Sequence, residues 1–281
     1  MSIVNMKELL EEADKSDYGI GAFSIANMEM IMGVIRAAEE LKSPIILQIA
    51  EVRLKHSPLN LIGPVMIEAA KKAKVPVAVH LDHGMTLNTI KEALDLGFTS
   101  VMYDGSHSPL EENIEVTNKV IQLAKKYGAA VEAEIGRVGG SEDGSKDIEM
   151  LTTSVEDAKR FYEGTKVDAL AIAIGNAHGV YKEEPILQFE RLKEIDNEVP
   201  IPLVLHGGSG ISSEDFRKCI RNGIKKINVA TATFNNVVKG VSGLFRESNS
   251  VEYFKYHSKV IESAYENARK HIEIFGSNYK A

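Results

Sequence analysis

The sequence predicts an α/β chain closed into a (β/α)8 TIM barrel, and three observations carry that prediction. Short apolar or β-branched runs alternate with longer amphipathic stretches along all 281 residues, a pattern that demands a parallel sheet with helices outside it. The runs number eight, which is what a closed barrel requires. The runs are apolar nearly throughout, as strands covered on both faces must be, and polar residues begin abruptly at their C-terminal ends. A doubly wound open sheet is the competing topology. No linker rich in Pro, Gly or Ser divides the chain, so a single barrel domain over 1–281 is expected.

The first strand is read as GIGAFSI (19–25), followed by the helical pattern MEMIMGVIRAAEELK, whose apolar residues recur at three- and four-residue spacing. Strands two and three are PIILQIA (44–50) and PVAVHLDH (76–83). Strand four, SVMYD (100–104), leads into a second clear helix, NIEVTNKVIQLAKKYG, and then strand five, AAVEAEIG (129–136). Strands six, seven and eight are ALAIAIG (169–175), PLVLHGG (202–208) and KINVAT (226–231).

Composition excludes several classes. The 33 basic and 40 acidic side chains leave a net charge of −7, and no Lys/Arg cluster forms the footprint of a nucleic-acid binder. No apolar run has the length of a membrane span, and the acidic N-terminal stretch is unlike a signal peptide. A cytoplasmic protein without nucleic-acid or membrane partners is expected. Cys219 is the only cysteine, so a bound metal must be held by His and carboxylates.

Three histidines occupy equivalent places. His83 closes VAVHLDH, His178 follows AIAIGNA and His206 lies in LVLHGG. The active face of such a barrel lies at the C-terminal strand ends, so the three converge on one rim. Neutral imidazoles there give zinc a three-ligand site with an open position for substrate. His80, three residues before His83, is read as structural and as facing away from it. Asp82, Asp104, Glu132 and Glu134 add carboxylates to the same rim, where charge is costly unless paired. For Glu132 the competing reading is an ion pair with a helix lysine. Asp82, next to a ligand candidate, is placed to exchange a proton with substrate.

HGGSG (206–210) precedes a helix with a Ser212–Asp215 capping box, and NVAT (228–231) ends strand eight. Loops after strands seven and eight are the recurrent phosphate site of this fold, where backbone N–H groups and a helix N-terminus bind an anion without lysine. The stretch GRVGGSEDGSKD (136–147) reads as a lid with Gly136, Gly139, Gly140 and Gly144 as hinges, carrying Glu142 as a base.

Together VHLDHG (79–84), YDGS (103–106), VEAEIGRVGGSED (131–143), AIGNAHGVY (173–181), LVLHGGSG (203–210), INVAT (227–231) and FGS (275–277) resemble the class II fructose-bisphosphate and tagatose-bisphosphate aldolases over nearly the whole chain. The resemblance implies that His83, His178 and His206 bind a catalytic zinc and that Asp82 is the proton donor to the aldehyde oxygen. It also makes Glu142 the base at the carbon beside the ketone, with Asp104 and Glu134 at a second site for a divalent ion or monovalent cation. Gly179, Gly207, Gly208, Ser209, Asn228, Val229, Ala230 and Thr231 would bind the dihydroxyacetone phosphate half of a phosphorylated sugar. A homodimer or homotetramer is the expected assembly.

The implied reaction is reversible cleavage of fructose 1,6-bisphosphate or tagatose 1,6-bisphosphate to dihydroxyacetone phosphate and an aldehyde such as glyceraldehyde 3-phosphate. Ser24 and Ala26 stand where many relatives have asparagine, and Ala50 where many have serine or threonine. These departures face the aldehyde half and keep a different ketose 1-phosphate open. Arg53 and Arg269 are the candidates for a second phosphate. A Schiff-base aldolase would need a buried lysine near a strand end; Lys182 lies beyond strand six, and Lys225 and Lys226 stand at the other end of strand eight. A zinc-dependent barrel hydrolase would share the histidines but need no phosphate loop, and a noncatalytic metabolite-binding barrel would tolerate loss of zinc.

Overall fold

Strict alternation within the apolar runs gives each strand two buried faces, one toward helices and one toward a lumen. In the computed structural model, which describes residues 2–140, 150–179, 185–247 and 250–281, eight parallel strands close a barrel in chain order. They are β1 (Ile20–Ser24), β2 (Ile45–Ala50), β3 (Val77–Gly84), β4 (Ser100–Tyr103), β5 (Ala130–Ile135), β6 (Ala169–Ile172), β7 (Leu203–Leu205) and β8 (Ile224–Val229). All eight fall on the expected runs. β8 starts two residues early, so Lys226 lies within the strand, in register with Ile20 and Val204.

Helices α2 (Met28–Glu40), α3 (Leu59–Lys72), α4 (Leu87–Asp95), α5 (Leu110–Ala124), α6 (Val155–Thr165), α7 (Phe189–Glu198), α8 (Ser213–Arg221) and α9 (Thr231–Glu247) follow the strands in turn. They cover the outward residues, among them Phe23, Leu47, Val79, Val101, Val131, Leu170, Leu205 and Ile227. A further helix, α10 (Tyr253–Phe275), packs on α2. There Gly33 lets the two backbones approach, since a Cβ at that position would meet the carbonyl of Ile261. Past α10, Ser277 accepts a 2.8 Å hydrogen bond from Ser43, so the FGS segment ties the chain end to the start of β2.

One helix precedes the first strand. α1 (Met6–Lys15), capped by Asn5, puts Met6, Leu9, Leu10 and Ala13 on one buried face. This face joins the inward residues Ile20, Ala22, Ile46, Ala78, Ala130, Ala169, Ala171 and Val204. The lower lumen is therefore filled and plugged by small and branched apolar side chains. Above them the inward positions turn polar: Ser24, Gln48, His80, Asp82, Ser100, Glu132, Glu134, Lys226 and Asn228, all buried. Among the described residues no helix is long and apolar enough to cross a membrane.

Candidate metal and proton-transfer site

Both Asp82 and His83 reach the lumen, which simple alternation forbids. The β3–β4 pairing runs Leu81↔Val101 and then Gly84↔Tyr103, so one extra residue is accommodated on β3. His83 occupies it with φ +43°, a left-handed conformation uncommon for a non-glycine residue. This corrects the expectation that His80 faces away from His83: the bulge brings His80, Asp82 and His83 to the same interior.

His83, His178 and His206 present ring nitrogens within 4.8 Å of one another, with ring centroids 4.6–5.9 Å apart. His83 Nδ1 is 2.7 Å from Asp104 Oδ2, and His206 Nε2 is 2.9 Å from Glu132 Oε1. Each carboxylate claims the N–H on the far side of its ring. The near nitrogens, His83 Nε2 and His206 Nδ1, stand 2.9 Å apart, and when both rings are neutral with their protons toward the carboxylates the two lone pairs face each other. That arrangement is repulsive by itself and suits a shared cation; carboxylates behind ligating imidazoles orient them and raise their basicity. Burial pushes the His206 pKa well below the ordinary imidazole range, reinforced by His83, so the ring is neutral, as a ligand must be.

Asp104 and Glu134 form a second group with His83. Burial opposes the charge on Asp104, but the hydrogen bond and charge of His83 and the Ser106 hydroxyl and amide outweigh it, so its carboxyl lies below the usual range. Glu134 is pushed well above its usual range, by burial first and then by the charge of Asp104. Two close carboxylates with opposed shifts could share a cation. The third group, His80, Asp82 and Glu132, differs. Lys226 Nζ already lies 2.9 Å from Glu132 Oε2 and takes the cation's place.

Asp82 is held from both sides. Its Oδ2 accepts from Gln48 Nε2 at 3.0 Å and its Oδ1 from Asn228 Nδ2 at 3.0 Å. Gln48 Nε2 also reaches Ser24 Oγ at 3.2 Å. A carboxylate gripped by two amides one residue from a three-histidine cluster, on the C-terminal rim of a barrel, is a candidate acid–base group beside a cluster that could hold a metal.

Comparison with known proteins decides the family. The family model "Fructose-bisphosphate aldolase class-II" matches residues 4–280. The chain belongs to that family. It is an aldehyde-lyase. The chain is similar to a sulfofructosephosphate aldolase of Alkalicoccus urumqiensis, 41% identical over 100% of this chain and 99% of that one. It is also similar to a fructose-bisphosphate aldolase of Staphylococcus epidermidis, 38% identical over the full length of both. Among solved structures, the YdjI aldolase of Escherichia coli K12 superposes with a TM-score of 0.86 at 34% identity, covering 99% of each chain. A putative fructose-1,6-biphosphate aldolase of Coccidioides immitis gives 0.90 at 33%, covering 98% of this chain and 97% of that one.

In this aldolase the His178 segment is built on glycines. Ala177–His178 pairs with Gly139–Gly140. A Cβ at Gly140 would strike the His178 carbonyl, and one at Gly207 the Ala177 carbonyl. Both glycines have positive φ, +84° and +64°, so conformation and close approach each require them. Asn176, which the sequence reading passed over, accepts from the Ile174 amide at 2.7 Å and donates to the His206 carbonyl at 3.0 Å. It locks two histidine-bearing segments together. Asn113 likewise donates to the Glu134 carbonyl at 2.9 Å. The signal for Asn176 was an amide that interrupts an apolar run, whereas Asn113 stands among glutamates and gave no such signal.

Gly207, Gly208 and Ser209 lie beside the start of α9, where Ser209 Oγ accepts from the Ala232 amide at 3.0 Å. Val229, Ala230 and Thr231 lead from β8 into that helix, and Gly179 follows His178 with φ +84°. Ser212 caps α8, with Oγ accepting from the Asp215 amide at 3.1 Å and donating to Asp215 Oδ2 at 2.9 Å. A cleft of about 500 Å³ opens on the outer side of this loop, between α8, α9 and α10, and its lining does not include the three histidines. Glu142, Gly144 and Lys182 lie outside the described residues.

Proposed function

We propose that this aldolase reversibly cleaves a phosphorylated ketose to dihydroxyacetone phosphate and an aldehyde, using one zinc ion held by His83, His178 and His206. The observation that carries the reading is the convergence of imidazole nitrogens whose far sides are claimed by Asp104 and Glu132, with Asp82 adjacent. A zinc ion bound there supplies Lewis-acid polarisation of the substrate ketone. Asp82 takes the proton from the hydroxyl beside the breaking bond and, in condensation, returns it to the aldehyde oxygen. Glu142 carries the proton at the carbon next to the ketone. The segments at Gly179, Gly207–Ser209 and Asn228–Thr231 hold the phosphate through backbone N–H groups and the N-terminus of α9. Asp104 and Glu134 hold a second divalent ion or a monovalent cation.

Fructose 1,6-bisphosphate or tagatose 1,6-bisphosphate is the proposed ketose, with glyceraldehyde 3-phosphate as the aldehyde product. A different ketose 1-phosphate is a second reading. It is supported by the small side chains of Ser24, Ala26 and Ala50 at the β1 and β2 ends and by the relative named for a sulfofructose phosphate. Arg53, whose guanidinium lies 4.7 Å over the Phe234 ring, is the proposed partner for an anionic aldehyde. Arg269 instead pairs with Glu273 on the exposed face of α10 at 3.3 Å. The zinc hydrolase and the noncatalytic barrel give way to the family assignment.

The proposed unit is one barrel domain over 1–281 acting in the cytoplasm as a homodimer or homotetramer. Exposed Val238, Phe245, Tyr253 and Phe254 supply an apolar surface for assembly. The test offers dihydroxyacetone phosphate with a panel of phosphorylated, sulfonated and neutral aldehydes and scores rate and product stereochemistry. Preference for phosphorylated aldehydes supports the bisphosphate, and preference for another aldehyde replaces it. Condensation with none rejects the aldolase reading.

A further inference from the structure

Of the two buried lysines of β8, Lys225 pairs with Asp17 at 3.0 Å, and Lys226 has no part in the steps above. Lys226 is fully buried in the upper lumen, beneath the Asp82 rim. Its Nζ makes two polar contacts: Glu132 Oε2 at 2.9 Å and Asn228 Oδ1 at 2.7 Å. Both partners lead to working groups. Glu132 Oε1 meets His206 Nε2 at 2.9 Å, and Asn228 Nδ2 donates to Asp82 Oδ1 at 3.0 Å.

Each contact decides a chemical alternative. An asparagine amide presents either its oxygen or its NH2 group in a given direction. With an ammonium on Oδ1, the NH2 group must face Asp82, so Asp82 receives a donor rather than a competing acceptor. A carboxylate in a dry interior stays charged only beside a compensating cation. Lys226 Nζ on Oε2 leaves Oε1 of Glu132 facing His206 Nε2, which turns His206 Nδ1 toward His83. The other neighbour of Glu132 Oε2, His80 Nε2 at 3.4 Å, is kept neutral by burial and by Lys226, so it does not duplicate the charge.

We infer that Lys226 is a positioning residue with two outputs, orienting Asn228 against Asp82 and holding Glu132 as the acceptor that presents His206 to the metal. The inference rests on the proposed function for the identity of the two outputs. It also explains why this buried lysine need not be a Schiff-base nucleophile: its ammonium is engaged by a carboxylate and an amide.

The test is a pair of double-mutant cycles with different readouts. Zinc affinity is measured on metal-free protein by competition with a chelating dye, and kcat and KM for ketose phosphate cleavage at saturating zinc. Lys226→Met should weaken zinc binding about 10- to 100-fold, the usual effect of losing a ligand's supporting partner. It should also lower kcat about 10- to 100-fold with KM little changed, the signature of a group acting on the chemical step. In a Glu132→Gln background, Lys226→Met should cost no further zinc affinity. In an Asn228→Ala background, it should cost no further kcat. Glu132→Gln/Lys226→Met leaves no unpaired buried charge, so this double variant keeps the cycle readable if Lys226→Met alone folds poorly. Losses that multiply independently in both cycles would overturn the inference and leave Lys226 a structural ion pair. Wild-type protein that binds no zinc, or binds zinc without cleaving any ketose phosphate, would instead defeat the underlying functional reading.

Discussion

The lower and upper halves of the lumen are built on the same eight strands yet obey different rules. Below, Ala22, Ala78, Ala130, Ala169 and Ala171 with Ile20, Ile46 and Val204 form a dry plug sealed by α1. Above, Gln48, His80, Asp82, Glu132, Glu134, His206, Lys226 and Asn228 are also buried, but they are linked by hydrogen bonds and ion pairs. Stability in the lower half follows from apolar area and fit. In the upper half it depends on every polar group finding its partner, because an unpaired buried charge costs several kcal/mol. The barrel thus concentrates its liabilities in the layer that the proposed chemistry uses.

Substitutions in the two layers should therefore fail differently. The largest effect is expected for Asp82→Ala, which should slow ketose phosphate cleavage by about 10²–10⁴-fold, the range for loss of a positioned acid–base group. Its thermal unfolding should stay close to that of wild type; a large loss of Tm would make Asp82 a structural residue first. Glu132→Ala should lower stability by about 3–5 kcal/mol, beside its effect on zinc binding, because the Lys226 ammonium is left buried without its partner. Urea unfolding measures that loss, and a change under 1 kcal/mol would mean that the upper layer relaxes or admits water.

A third probe lies outside the barrel. His271 on α10 is buried against Phe216 and Phe275, and burial lowers its pKa to about 4, only partly opposed by the Asn267 carbonyl. The unfolded imidazole binds its proton near pH 6.5 and the folded one near 4. Its contribution is complete above pH 6.5 and is lost as pH falls toward 4, by up to about 3 kcal/mol. Unfolding free energies over that window, compared with His271→Gln, should show this acid loss in wild type and a smaller slope in the variant. The smallest effect is expected in the lower lumen. Ala78→Val should cost about 1–3 kcal/mol by overpacking with kcat per folded molecule unchanged, whereas a lowered kcat would show that the two layers are coupled.

The strands were legible because alternation and length are local properties, and all eight runs appear in the barrel. The histidines and Asp82 were legible because polar residues interrupt apolar runs at equivalent ends. The inward turn of His83 was not, since it depends on a bulge with φ +43° that no spacing encodes and that reverses the expected parity. Lys226 was set aside because its strand was started at its own position; two residues of earlier pairing move it into the lumen. Asn176 stood inside a quoted motif, but its contacts to Ile174 and to the His206 carbonyl are tertiary. The α1 plug had the apolar spacing of a helix, but its short, acidic segment precedes the first strand.

In the proposed reaction the upper lumen separates a metal-dependent proton exchange from an Asp82-dependent bond cleavage. Incorporation of solvent deuterium into dihydroxyacetone phosphate tests it most directly, followed by NMR in metal-free protein, zinc-reloaded protein and zinc-reloaded Asp82→Ala. Exchange should be absent without metal, return with zinc, and persist in Asp82→Ala even though that variant no longer cleaves ketose phosphate. Full-rate exchange in the metal-free protein, or its loss in zinc-loaded Asp82→Ala, would contradict the account.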